Sequence, residues 1–248
     1  EELVLLASDI EAFEGDIAID TEADSLYVYH SKICLVQVSF DNRNWIIDPL
    51  QTGKPTAMLE ALKDRTLILH GADYDLHMFW QEWKFSPKRI FDTMIGSRYM
   101  GERQPGLGKL VEKYKDVILD KSSQKADWGY RPLSDKLLQY AWHDTAYLHY
   151  IADQIKEELI KRGKLDWAEE NFEAVLKSSK NIKVKPADEL WRIKGSHKFS
   201  RRQLSIVKTF WAWRENIASR VNRPPFKVFP PQVILDCALR FENKKEIS

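Results

Sequence analysis

Residues 16–22 read Asp-Ile-Ala-Ile-Asp-Thr-Glu, a short apolar run that ends in two carboxylates. The run predicts a core strand, and alternation along a strand sends positions two apart to the same face. Asp20 and Glu22 therefore project together where the strand ends. Ionised carboxylates that close repel each other unless a cation sits between them. The fold must then bring this strand end to a ligand site, and a divalent metal is the economical ligand. Taken alone, the pair also fits the start of a solvated turn; carboxylates further along decide between the two.

The rest of the chain predicts a mixed α/β sheet. Leu3, Leu6, Ile10 and Phe13 keep helical spacing. Residues 33–40 and 44–48 read as strands joined by Asp41-Asn42-Arg43, which makes a hairpin. A helix from Pro55 and Thr56 to Leu62, a short buried strand over 66–70 and a helix carrying Leu76, Phe79 and Trp80 follow. Asp92 and Thr93 cap a helix that runs to Tyr99. Residues 107–114 are helical, 121–130 form a loop, and one long helical stretch runs from Pro132 and Ser134 to about Arg162. Gly163 punctuates it, and another helix ends near Leu176. A hairpin followed by alternating strands and helices predicts a sheet with helices against it. Residues 178–190 read as a linker between a first domain (1–177) and a second (191–248). In the second, Ser200 caps a helix with Leu204, Val207, Phe210 and Trp211, Asn222-Arg223-Pro224-Pro225 turns, and Pro230-Pro231 opens a last helix.

Composition narrows the partners. With 44% hydrophobic and 30% charged residues in 248, the chain has an ordinary soluble profile. No apolar run spans a membrane and no signal pattern opens the sequence. Cys34 and Cys237 are too few for a disulfide framework, and neither joins a cluster with zinc spacing. The six histidines are scattered. A reducing, cytoplasm-like compartment is the expectation. The net charge of +1 hides an asymmetry: from Lys177 onward there are 17 Lys/Arg against 6 Asp/Glu, and before it 21 against 31. An acidic body with a basic tail predicts a polyanionic partner for the tail; an ordinary solvated basic face is the plainer alternative.

Asp75 is the third carboxylate of interest, just after a strand and at the start of a helix. Asp144 is the fourth, and Tyr140, four residues earlier, shares its helical face. Each has a plain alternative: Asp75 as a first-turn acid complementing the helix dipole, Tyr140 as a core tyrosine, Asp144 as a surface charge. Together, four carboxylates from a strand, a helix start and a second helix are what a two-metal site requires. Magnesium and manganese prefer oxygen ligands, and two such ions roughly 3.5–4 Å apart clamp an in-line displacement at phosphorus. No Ser/His/Asp or Cys/His set competes with them, and no glycine-rich loop is present to cradle a nucleoside triphosphate.

Asp20-Thr21-Glu22, the segment from His70 to Asp75, and Tyr140-Ala141-Trp142-His143-Asp144 resemble the three exonuclease motifs of the DEDD superfamily. The tyrosine four residues before the last aspartate marks its DEDDy branch. Thr21-Glu22-Ala23-Asp24-Ser25-Leu26, Cys34-Leu35-Val36-Gln37, Asp127-Trp128 and Arg131-Pro132-Leu133-Ser134 are similar to ribonuclease D, in the expected order over nearly all of residues 10–160. Trp191-Arg192-Ile193-Lys194-Gly195, Arg202-Gln203-Leu204, Trp213-Arg214-Glu215 and Asn222-Arg223-Pro224-Pro225 resemble an HRDC domain, a small helical module that often contacts nucleic acid.

The resemblance implies an α/β, ribonuclease H-like mixed sheet flanked by helices, followed by a small all-α HRDC-type domain. It implies a 3′-5′ exoribonuclease that releases nucleoside 5′-monophosphates, with tRNA or other structured RNA 3′ ends as the family's substrates. Asp20, Glu22, Asp75 and Asp144 would hold two divalent cations, Mg2+ or Mn2+, with Asp20 as the bridge, and Tyr140 would orient the attacking water. Leu26, His70 and Tyr74 flank the acids and are candidate contacts for the terminal nucleotide. Arg131 is a candidate phosphate contact, with packing beside Trp128 as the alternative. Lys198, Arg201 and Arg202 are candidates for the nucleic-acid backbone. The same carboxylates would serve a DNA exonuclease of the helicase-associated kind, and a catalytically idle nucleic-acid-binding module is the reading from another class. Two departures qualify the resemblance: little chain precedes the first motif, so an N-terminal strand is expected to be missing. The tail stops where an HRDC domain continues with more helix, so it is expected either to be incomplete or to lean on the nuclease for its core.

Overall fold

The computed structural model describes residues 2–181 and 186–242. In chain order the elements are α1 (Glu2–Ala12), β1 (Ile17–Ala23), β2 (Ile33–Phe40), β3 (Arg43–Ile47), α2 (Pro49–Thr52), α3 (Thr56–Leu62), β4 (Thr66–Leu69), α4 (Asp73–Trp83), β5 (Arg89–Asp92), α5 (Thr93–Tyr99), α6 (Leu107–Lys115), α7 (Asp135–Ala146), α8 (Leu148–Lys161), α9 (Leu165–Lys180), α10 (Arg201–Arg220), α11 (Pro225–Val228) and α12 (Pro231–Glu242). The strands form one mixed sheet in the order β3-β2-β1-β4-β5. β1 runs antiparallel to β2 and parallel to β4, so it is the strand at which the hairpin half meets the parallel half.

Every residue of β2 is buried, which explains its near-continuous apolar sequence: a strand covered on both faces has no solvated side to mark with polar residues. Gln37 and Ser39 are its polar exceptions. The β2–β3 turn is carried by Asp41 and Asn42, both at positive φ (49° and 55°), the backbone of a two-residue hairpin turn whose twist matches the strands. Arg43, expected in the turn, begins β3. On one face Val36, Val38 and Phe40 join a large core with Ile17, Ile19, Leu67 and Leu69. On the other, Leu35 packs with Cys34, Trp128 and Ala141 of α7.

The structure departs from the sequence reading in four places. β5 is a strand where only a helix cap was expected, and α2 follows β3 directly, with Asp48 capping it by accepting from the Leu50 N–H. The long helix expected to 162 is two helices, α7 and α8, parted at Tyr147. α9 runs through Lys180, so the first residues of the expected 178–190 linker are helical. Ser178 and Ser179 fit inside that helix by donating their hydroxyls back to the Val175 and Leu176 carbonyls. Residues 182–185 of the linker and 243–248 of the tail lie outside the described residues.

The chain divides into two compact units, and one short segment is grouped otherwise than the sequence predicts. The sheet and its helices form the first. Ser25–Ser31, the connection between β1 and β2, groups with the C-terminal chain in the second. Asp24 closes the base of that connection by accepting from the Lys32 N–H at 2.9 Å. Within the second unit the Tyr29 hydroxyl donates to Glu215 at 3.0 Å, the Tyr29 N–H donates to the Asn222 side chain, and the Lys227 ammonium sits over the Tyr27 ring. Its small core is Val207, Ile234, Leu235 and Ala238, with Trp191, Phe199, Phe210 and Phe229 against it. α10 starts in a full capping box: Ser200 accepts from Gln203 N–H, and the Gln203 side chain accepts from Ser200 N–H.

Candidate active site

The end of β1 is built from both sides. Asp20 stands opposite Gln37 and Glu22 opposite Leu35, and the register shifts just after Glu22, which ends regular pairing there. α7 lies against this face. Ser134 caps it by accepting from the Leu137 N–H, Ala141 packs on Leu35, and the Ser39 hydroxyl donates to Thr145 at 2.6 Å. These contacts fix the rotation of α7, so Asp144 arrives at the β1 carboxylates and Tyr140 lies one turn before it. The Tyr140 ring packs against Trp128, centroids 5.9 Å apart. Asp20, Glu22 and Asp144 each bring a carboxylate oxygen within 4.8 Å of the others.

Asp75 reaches the strand end from the Thr21 side. It is buried in the first turn of α4 and accepts a short hydrogen bond from the Thr21 hydroxyl. The turn that delivers it depends on Gly71, whose φ of +77° is left-handed. Asp92 locks that turn by accepting from the Gly71 and Ala72 N–H groups while it caps α5 through Met94 and Ile95. Asp92 is therefore the structural cap that its sequence context predicts. Thr21 went unmarked in the sequence reading, although it stands between the two acids of the first motif.

Burial drives all four acids toward protonation, and repulsion within the group adds to it at Asp20, Glu22 and Asp144. Burial is the main cause at Asp20, followed by the charges of Asp75, Asp144 and Glu22, and it lifts Asp20 well above the usual carboxylate range. Burial, then Asp144 and Asp75, pushes Glu22 up to about 9. Asp144 rises to about 7 by burial and the charge of Asp75. Asp75 rises only to about 6, because the Thr21 hydroxyl offsets part of its burial. Tyr140 is pushed up by burial and by the neighbouring acids, so it stays a phenol. An all-oxygen set of half-buried carboxylates at this spacing fits a hard divalent cation, whose charge would reverse these shifts.

The other predicted residues fall into different surroundings. His70 is held by Thr93: the Thr93 hydroxyl donates to the Leu69 carbonyl, so His70 Nδ1–H donates to Thr93 Oγ1 and Nε2 is left as a bare acceptor. Nε2 is buried without a protein partner. Burial lowers His70 to about 4, so it is neutral near pH 7. Tyr74 is exposed. Leu26 lies on the 25–31 connection and is also exposed, while Lys198, Arg201 and Arg202 are exposed on the second unit.

Arg131 takes the alternative of the two surroundings expected for it, packed beside Trp128 rather than open to a phosphate. Its guanidinium donates to both oxygens of Asp48 (2.7 and 2.9 Å) and to the carbonyls of Cys34, Trp128 and Tyr130. A phosphate would have to displace Asp48 to bind there. Gln37 was given no role in the sequence reading; its signals were an amide inside an otherwise apolar strand and its place in the Cys34-Leu35-Val36-Gln37 stretch.

Residues 1–160 match the 3′-5′ exonuclease family. The chain is 30% identical over 229 residues to ribonuclease D of Gluconacetobacter diazotrophicus, which covers 91% of this chain and 58% of that protein. The structure resembles Escherichia coli RNase D, described as an exoribonuclease involved in structured RNA processing, with a TM-score of 0.78 and 27% identity over 95% of this chain and 63% of that one. It also resembles Brucella melitensis NrnC with bound Mg2+, with a TM-score of 0.61 and 26% identity over 76% of this chain and 92% of that one. No helix among the described residues is long and apolar enough to cross a membrane.

Proposed function

The chain belongs to the 3′-5′ exonuclease family, and from that premise we propose that it removes nucleotides one at a time from RNA 3′ ends, releasing nucleoside 5′-monophosphates. The observation that carries the proposal is the convergence of Asp20, Glu22 and Asp144 within 4.8 Å, beside a phenol on the same helix. Asp20, Glu22 and Asp144, with Asp75 beside the same strand, would hold two divalent cations, Mg2+ or Mn2+. Such ions lower the pKa of the attacking water and stabilise the leaving 3′ oxygen. Tyr140 keeps its proton in this setting and orients that water. Thr21 fixes the Asp75 carboxylate and thereby its approach to the site.

RNA is favoured as the polymer by the ribonuclease D relative and the E. coli neighbour. Structured RNA 3′ ends, tRNA among them, are the substrate class that this likeness suggests. Tyr74 and Leu26 are proposed contacts for the terminal nucleotide. His70 offers a neutral acceptor rather than a charge. Lys198, Arg201 and Arg202 of the C-terminal unit, read as an HRDC-type module, would bind the polymer backbone. The site residues favour a nuclease over an idle binding module, since every acid and the tyrosine are in place.

The test is a labelled RNA with a 3′ overhang, incubated with and without Mn2+ and read for product size, beside a DNA oligomer of the same sequence. Metal-dependent mononucleotide release from RNA is the expected result. Equal trimming of DNA would move the assignment to a DNA exonuclease, and no release from either would favour the binding module.

A further inference from the structure

Gln37 is the one side chain on the site's sheet face whose chemistry has no account in the fold. It sits at the middle of β2, fully buried, and both its amide nitrogen and its amide oxygen lack a protein partner. Its neighbours on that face are settled. Leu35 packs under Ala141, and Ser39 bonds Thr145 and Asn44. Across the pleat Gln37 faces Asp20 on β1 and Ile46 on β3. Residues directly opposite on antiparallel strands have Cβ atoms about 4.5–5.5 Å apart, which puts the amide beside the Asp20 carboxylate. Leu35 and Ser39 contact α7 at Ala141 and Thr145 on either side, so Gln37 also lies beneath the turn that carries Asp144. A buried amide with both ends unpaired is costly. A methionine would fill the same length of strand without that cost.

We infer that Gln37 is a positioning residue for the metal site: its Nε2–H group donates to the Asp20 carboxylate when that carboxylate holds a divalent cation, and fixes the oxygens it presents. The inference rests on the proposed metal site. It makes the amide part of the shell behind the ligands, the kind of group that orients a carboxylate and raises its affinity for the ion. The Oε1 atom stays an acceptor on the same face of the sheet.

The experiment titrates Mn2+ calorimetrically into the full chain, comparing the wild type with Gln37→Met and Asp20→Asn. In Gln37→Met the Mn2+ dissociation constant is expected to rise about 10- to 100-fold, the scale for lost outer-shell partners. The metal-free melting temperature should not fall, because an unpaired amide has been removed. The KM for an RNA oligomer should stay constant while the Mn2+ concentration for half-maximal turnover rises with the dissociation constant. An unchanged Mn2+ affinity overturns the inference and leaves Gln37 a packing residue. If the methionine variant does not fold, Gln37→Leu is read by the same two outcomes. Asp20→Asn separates the levels: if it binds Mn2+ as the wild type does, the metal-site reading fails and the inference with it. If Asp20→Asn loses Mn2+ and Gln37→Met does not, the inference alone fails.

Discussion

Asp48 and Asp20 are both half-buried carboxylates of one sheet, one just past the end of β3 and one midway along β1, and their surroundings treat them in opposite ways. At Asp48 burial alone would raise the carboxyl, but hydrogen bonds from Arg131 and Gln51, the Arg131 charge and the Leu50 N–H override it and hold it below the usual range. At Asp20 burial acts with three neighbouring acids and no cation answers them. The first spot is complete within the chain: Arg131 ties Asp48 to three backbone carbonyls on two segments. The second is complete only with something the chain does not supply. A paired buried charge reports structure; a group of unpaired like charges reports a ligand.

Asp20→Asn should break the comparison most severely. Loss of outer-shell partners costs a metal site about 10- to 100-fold, so loss of a ligand should cost turnover more than about 100-fold. The metal-free protein should melt higher, because a neutral amide removes the cost of holding a buried carboxyl protonated beside three other acids. Assays of 3′ trimming beside melts in EDTA read both, and near-normal trimming would remove Asp20 from the site. Tyr140→Phe comes next: kcat should fall about 100-fold, the lower range for a positioned proton-handling group, while Mn2+ affinity holds. A kcat equal to the wild type would take Tyr140 out of the mechanism.

Arg131→Met tests the other side. It strips Asp48 of its cation and should destabilise the fold by about 2 kcal/mol, less than a fully buried pair would lose, since about a fifth of each side chain is exposed (21% and 18%). Urea unfolding measures this, and an unchanged midpoint would mean that the pair contributes nothing.

The sharpest contrast is in pH, because the two spots answer it in opposite directions. Asp48 is held below its ordinary value of 3.8, so its contribution is present above about pH 4 and is lost as the pH falls further. The site acids are raised. Their contribution is full below about pH 4 and is lost as the pH rises through about 6 for Asp75, 7 for Asp144 and 9 for Glu22. Metal-free protein should therefore be most stable at mildly acidic pH and weaken toward pH 9, and Mg2+ should flatten the alkaline arm. Melts from pH 4 to 9, with EDTA and with Mg2+, check this; metal-free stability that rises toward pH 9 would contradict it.

Much of the site was legible because its signals are local. Two acids two apart on a strand, and a tyrosine four before an aspartate on a helix, share a face by backbone periodicity alone. What escaped depends on distant partners. Arg131 looks like any free cation until Asp48, 83 positions away, is brought to it. Gln37 is ordinary until β1 lays Asp20 against it. β5 has only Ile90 and Phe91 as apolar residues, and its last residue reads more strongly as a cap. The break at Tyr147 contains no proline or glycine, and its backbone stays right-handed, so nothing in the sequence marks it. The 178–180 segment looked like linker because serines are common in linkers, yet two hydroxyls bonded back one turn let the serines sit inside a helix.

The connection of residues 25–31 also sets a clock. Tyr29 and its partner Glu215 are 186 positions apart. At roughly 5–20 residues per second, a ribosome needs on the order of 10 to 40 s to make the chain between them. For that interval the strands on either side of the connection can pair, since β1 and β2 are already made. Tyr29 lacks its partner Glu215 until α10 emerges. The first piece of the second unit to be synthesised is thus among the last to be ordered, and the nascent chain carries it as an open loop while the sheet closes around its ends.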